Sequence, residues 1–293
     1  MAAEVNNAKI RISIMLFSVL LTVVALAGSA GQSLGQGQRP LGVPGPSQSK
    51  HIDQILGRGA LIVGVIGEFP WLVENTTGAG EPFHGPSWTL AKEYAKRLHV
   101  RLQTVAVSHE TKVPILATGQ VDVTIAPLAE TEQRKKVVEF ITYTKSASCW
   151  FGLAKNPKLA SKHAVEDLND PNLTMAYFAG SPIEPTQQLL PKAKYVAVSG
   201  SGANAPVEEI LSGRADIAGI DAVAWPQLHK AHPELISFPQ PDSACIKSTY
   251  IAIDVGQAID KGDPVFLKWL QGVEKDIDKQ LQDEFEKIVA AGS

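Results

Sequence analysis

The sequence carries no excess of basic charge. It has 27 Lys+Arg against 30 Asp+Glu, a formal charge of −3 over 293 residues. Nucleic-acid phosphates call for a clustered basic surface, so a nucleic-acid partner is not expected. The familiar catalytic signatures are also missing. There is no P-loop pattern, no GxSxG, no HExxH and no CxxC, and the Gly200-Ser201-Gly202 run lacks the spacing of a dinucleotide fingerprint. His229 and His232 lie one turn apart with no third ligand near them in sequence. They read as a solvated helix end, and neither a metal nor a cofactor is expected. There are only two cysteines, Cys149 and Cys245. One bridge and two buried thiols are both open on that count. Hydrophobic residues make up 44% of the chain, which excludes wholesale disorder.

The single long apolar run is at the start. Lys9 and Arg11 precede an apolar stretch at 12–27, and small residues follow at Ala25, Ala27 and Ala30. This is the layout of a cleavable export signal over 1–30, cut after Ala27 or Ala30. The run is short of the roughly 20 residues that a membrane span needs. Residues 31–50 are rich in Gly, Gln, Ser and Pro with no apolar period, and are expected to form a disordered leader.

The remainder alternates strand and helix patterns. A helix at 51–59 closes on a glycine, and the run at 60–66 is a strand buried on both faces. A loop follows at 67–71. Apolar spacing then predicts a helix at 87–98, a strand at 100–107, a short helix at 113–118 ending at Gly119, a strand at 121–126 and a helix at 131–138. A second series follows an extended connection at 142–147. It has strands at 149–154, 173–178, 195–198 and 215–220, and helices at 184–190, 205–211 and 222–230. One more strand is expected at 250–253, and one long or two short amphipathic helices at 264–289. The rhythm implies α/β architecture with parallel sheets.

Five segments in register resemble the solute-binding proteins of polar amino-acid ABC transporters, family 3. They are GALIVGV at 59–65, VPILATGQVD at 113–122, TEQRKKVVEF at 131–140, EDL at 166–168 and GRADIAGID at 213–221. The resemblance implies a type II periplasmic-binding-protein fold, with two α/β lobes joined by two hinge strands around a ligand cleft. It places lobe one at 51–143 plus 250–293 and lobe two at 148–245, with hinges near 143–147 and 245–249. The implied role is that of a periplasmic receptor. It would be exported and monomeric, and would deliver an amino acid or related small carboxylate or amine to an inner-membrane ABC permease.

The resemblance also assigns roles to residues. Arg134 would grip a ligand carboxylate, because a guanidinium fork pairs both oxygens at once. Asp221 would take a ligand amine, or cap the helix that follows it. Phe69 and Trp71 would lie against the ligand side chain or in the lobe-one core. His109 aligns with another cleft position, and Ser181 would add its hydroxyl and nearby backbone N–H groups. Cys149 and Cys245 would flank the hinges, within reach of one disulfide. The segment Ala126-Pro127-Leu128-Ala129 lacks the hydroxyls usual before the arginine, and Thr89 stands where an acidic residue is usual. Those departures open the ligand to organic acids and modified amino compounds. The rival readings are a ligand sensor and a cyclohexadienyl-dehydratase-like enzyme. That enzyme would need a general acid where this chain has Val223, Ala224 and Trp225. The chain is therefore expected not to be an enzyme.

Overall fold

The computed structural model describes residues 39–200 and 205–292. The expected export signal at 1–30 lies outside them. No helix among the described residues is long and apolar enough to cross a membrane.

The first lobe starts with α1 (Lys50–Arg58), whose cap residue Ser49 accepts from the Ile52 N–H and whose end turns at Gly59 with φ 67°. Then come β1 (Ala60–Val65), β2 (Val73–Glu74), β3 (Phe83–His84), α2 (Pro86–Leu98), β4 (Arg101–Ala106), α3 (Pro114–Ala117), β5 (Val123–Ala129), α4 (Glu132–Lys135) and β6 (Val138–Ser146). The second lobe runs through β7 (Ser148–Leu153), β8 (Thr174–Phe178), α5 (Glu184–Leu189), β9 (Lys194–Val198), α6 (Ala205–Leu211), β10 (Ile217–Asp221), α7 (Trp225–Ala231), β11 (Leu235–Phe238) and α8 (Asp242–Ile246). The chain then returns through β12 (Ile253–Asp260) and ends in one helix, α9 (Pro264–Gly292). Two five-stranded sheets result, ordered β4-β1-β5-β12-β6 and β11-β7-β10-β8-β9. The chain changes sheet between Ser146 and Ser148, and again between α8 and β12.

Neither sheet is purely parallel, contrary to the expectation from rhythm. β12 runs antiparallel to both β5 and β6, and β7 runs antiparallel to β10 and β11. The return strand β12 thus re-enters the first sheet against the direction of both its neighbours. Of the strand expected at 250–253 only Ile253 is strand, as the first residue of β12, and a turn precedes it. The helix expected at 131–138 is the single turn α4, because Val138 already belongs to β6. The leader also ends earlier than its composition suggests. Ser49 is buried and donates to Asp263 at 2.7 Å, while Arg39 pairs with Asp53. Residues 39–50 therefore pack onto the first lobe.

Each lobe has its own core. Ile52, Leu61, Val63, Leu90, Tyr94 and Phe266 fill the first. Phe151, Ala218, Trp225 and Leu235 fill one side of the second sheet, and Trp150, Leu173, Met175 and Phe238 fill the other. Each of the larger side chains among these contributes roughly 1.5–3 kcal/mol. The apolar face of α9 covers α2 and β6, and so anchors the end of the chain to lobe one. Cys149 and Cys245 are joined in a disulfide with Cα atoms 5.4 Å apart. It ties the strand where the chain begins lobe two to the helix where it leaves.

Candidate functional site

A cleft of about 510 Å³ lies between the two sheets. Strand ends and the loops that follow them supply its walls, as α/β sheets do where they hold ligands. Phe69, Trp71, His109, Arg134, Ser181 and Asp221 all border it. The sequence reading thus names residues that the fold brings to one place, although they lie up to 152 positions apart.

Arg134 sits in α4, where Thr131 caps the turn by accepting from the Arg134 N–H. The cap aims the side chain along the end of β5. The residue is 9% exposed, and its guanidinium donates to Ala129 O at 3.0 Å and to Gly180 O at 3.1 Å. Ala129 belongs to lobe one and Gly180 to lobe two, so this side chain spans the seam. Burial pushes its pKa down, while Glu68 and Glu184 oppose that. Two of its five N–H donors are engaged by described residues, so the fork keeps further donors for an anion.

Other contacts close the same seam. His109 stacks on Phe178 with ring centroids 4.2 Å apart. Burial, with Lys112 adding to it, pushes His109 down to about 4. Glu110 accepts from the Ser199 hydroxyl at 2.6 Å. Gly180 lies so near the 109–110 backbone that only hydrogen fits at its Cα. The structure is therefore a closed form, with side chains of both lobes in contact.

Asp221 ends β10 and precedes a 3₁₀ turn, but its side chain does not cap that turn. It accepts instead from the Ser146 hydroxyl, at the point where the chain leaves lobe one. Burial and the negative charge of Glu68 push it up to about 6, against the pull of Ser146 and Lys112. Ser181 contributes less than expected. Its N–H is already donated to Phe178 O, and the adjoining α5 spans six residues. Trp71 borders the cleft but is 1% exposed and packs 6.4 Å from Phe285, so it mainly fills the lobe-one core. The Phe69 ring approaches the end of α9 at Gly292.

Two charged cleft residues escaped the sequence reading. Glu68 precedes Phe69 in the loop after β1, and Lys112 precedes α3. Lys112 is 3% exposed, donates to Pro127 O at 2.7 Å and lies 3.4 Å from a Glu68 carboxylate oxygen. A lysine so buried always needs such partners, which makes a charged residue beside an apolar helix start the one clue available. The two histidines one turn apart are otherwise occupied: His229 lies 2.7 Å from Asp242 and His232 3.4 Å from Glu234. Among the described residues no group of three or more His, Cys, Asp or Glu could hold a metal.

Two α/β lobes, a chain that crosses twice and a charged cleft define a type II periplasmic-binding-protein fold. The sequence profile of the bacterial extracellular solute-binding proteins, family 3, matches residues 61–290, and the chain belongs to that family. The glutamine-binding protein of Geobacillus stearothermophilus is 31% identical over 140 residues, 45% of this chain and 52% of that protein. The chain thus spans about half the length of that relative. Among solved structures, the ancestral amino acid-binding protein AncCDT-1, a precursor of cyclohexadienyl dehydratase, is 26% identical with a TM-score of 0.65. The match covers 82% of this chain and 98% of that one. The arginine-bound form of a truncated ArgBP from T. maritima is 26% identical with a TM-score of 0.65, covering 77% of this chain and 99% of that one.

Proposed function

We propose that this protein is an extracytoplasmic receptor that captures an amino acid or related small carboxylate between its lobes and delivers it to an ABC permease. The observation that carries this reading is Arg134, a buried guanidinium on the lobe seam that engages both lobes and keeps donors for an anion. A ligand held by groups of both lobes binds the closed form better than the open one. Only that difference can drive closure, and the permease then recognises the closed shape. Membership of an extracellular family, together with the charged and apolar start of the chain, supports export through a cleavable signal to the periplasm. The receptor acts as a monomer and needs no cofactor.

The test is a thermal-shift screen of the protein lacking residues 1–30, after unfolding and refolding to strip bound ligand. The panel holds amino acids, amines and organic acids. At least one class is expected to raise the melting temperature, and Arg134→Glu to abolish that rise. A response that survives Arg134→Glu would sink the assignment.

A second reading is favoured by one observation, the resemblance to a precursor of cyclohexadienyl dehydratase. Dehydration needs a proton donor in the cleft. Val223 packs on the lobe-one core and Trp225 is fully buried in lobe two, so that stretch offers none. Incubation with prephenate or arogenate, read for aromatic product, decides the matter; product formation would replace the receptor reading.

A further inference from the structure

Lys112 is a cleft cation whose charge the receptor reading does not use. Its placement follows from the backbone. β5 pairs with β1 only at Val123 and Thr124, and its register against β12 shifts between Gly256 and Ala258. Pro127 falls beside that irregularity and has no N–H to give a ladder. The Thr124 hydroxyl donates to the Lys112 carbonyl at 2.7 Å and fixes the lysine backbone next to β5. The ammonium then reaches Pro127 O at 2.7 Å and faces Glu68 at 3.4 Å. A backbone carbonyl and a carboxylate converging in a cleft are what a ligand amine requires. Here the protein supplies that amine itself.

We propose that the ligand is a carboxylate with no amine on the neighbouring carbon, because Lys112 occupies the acceptors that such an amine would use. The inference rests on the receptor reading above. Arg134 takes the ligand carboxylate, Lys112 offers its remaining N–H to an oxo or hydroxyl oxygen beside it, and the aromatic rings of Phe69 and Phe178 take an apolar tail. Asp221 has the Ser146 hydroxyl as its partner and so does not depend on a ligand cation. An incoming ammonium would meet the like charge of Lys112 at short range, a repulsion that excluded water does little to screen.

The experiment is calorimetric titration of the refolded protein with matched pairs that differ only at that carbon. The pairs are 4-methyl-2-oxopentanoate and L-leucine, phenylpyruvate and L-phenylalanine, and 2-oxoglutarate and L-glutamate. In the pair that binds, the oxo acid is expected to bind at least about tenfold tighter, the ratio that 1.4 kcal/mol gives. Lys112→Met is expected to cut that ratio below about threefold, since it keeps the length and removes the charge. An amino acid that binds tighter than its oxo acid overturns this inference and leaves the receptor reading standing. A ratio unchanged in Lys112→Met removes Lys112 from the explanation. Should that variant fail to fold, the wild-type ratios still decide. No binding by either member of any pair overturns the inference. If the broader screen is also silent, the receptor reading falls with it.

Discussion

Gly180 and His109 meet across the lobe seam with no room for a side chain between them. Gly180 has φ 83°, and a Cβ there would stand 2.5 Å from the His109 carbonyl oxygen and 2.7 Å from the Glu110 Cα. The obstacle is backbone, which cannot swing aside. Gly180→Ala should therefore oppose closure more than folding. The left-handed conformation alone costs roughly 1–2 kcal/mol in either state, while the clash exists only when the lobes meet. Ligand affinity should fall at least about tenfold, and small-angle scattering should lose the compaction that ligand produces in the wild type. A variant that still closes on ligand with unchanged affinity would show that the seam is looser than described.

Arg134→Lys tests the fork as distinct from the charge. Lysine keeps a cation but cannot hold Ala129 O, Gly180 O and a carboxylate at once. Affinity for the best ligand should drop about 10–100-fold, or roughly 1.4–3 kcal/mol, with only a small change in ligand-free melting. Full affinity in Arg134→Lys would mean that the guanidinium serves the seam and not the ligand.

Arg134 and Asp221 were legible in sequence because each lies within a recurring local pattern that fixes its own backbone. Thr131 caps the turn that carries Arg134, and Asp221 ends an apolar strand. Lys112 and Glu68 were not legible, since what makes them cleft residues is the irregular end of β5, a tertiary feature. The return strand β12 was hidden in the same way. Its Gly256 and Gln257 break the apolar alternation, yet Gln257 is fully buried because its amide donates to Ser87. β11 is only Leu235–Phe238 between two prolines, too short for a period to register. Composition also misread residues 39–50, because a buried hydrogen bond from Ser49 to Asp263 joins positions 214 apart.

The disulfide closes a large loop, with 96 positions separating Cys149 from Cys245. Constraint of so long a loop in the unfolded chain is worth roughly 2–4 kcal/mol. Both cysteines are buried in the lobe-two core, so the bond should form before the cleft can work. The oxidised protein, denatured, should show no free thiol. Replacing both cysteines with alanine should lower the melting temperature by about 5 °C or more, while the ligand preference stays the same. An unchanged melting temperature would mean that the loop is already constrained without the bond.

Asp221 and His109 pull the pH dependence of stability in opposite directions. Asp221 is raised from 3.8 to about 6, first by burial and then by Glu68, with Ser146 and Lys112 opposing. Relative to the unfolded chain it holds an extra proton between those values. Its contribution is therefore fully present below about pH 4 and is lost as pH rises through about 6. His109 is lowered from 6.5 to about 4, first by burial and then by Lys112 and Arg134, with Glu68 opposing. Its contribution is present above about pH 6.5 and lost as pH falls through about 4. The two offset each other in the wild type, so the profile hides both. Asp221→Asn removes the first and keeps an acceptor for Ser146. The variant should match the wild type near pH 4 and exceed it above about pH 6, by about 1–2 kcal/mol once solvent in the cleft is allowed for. Glu274, raised to about 7 by burial and Asp278, is common to both proteins and cancels in the difference. Melting temperatures of the two proteins from about pH 4 to 8 check the prediction. A difference that does not vary with pH would show that folding leaves the Asp221 pKa at its ordinary value.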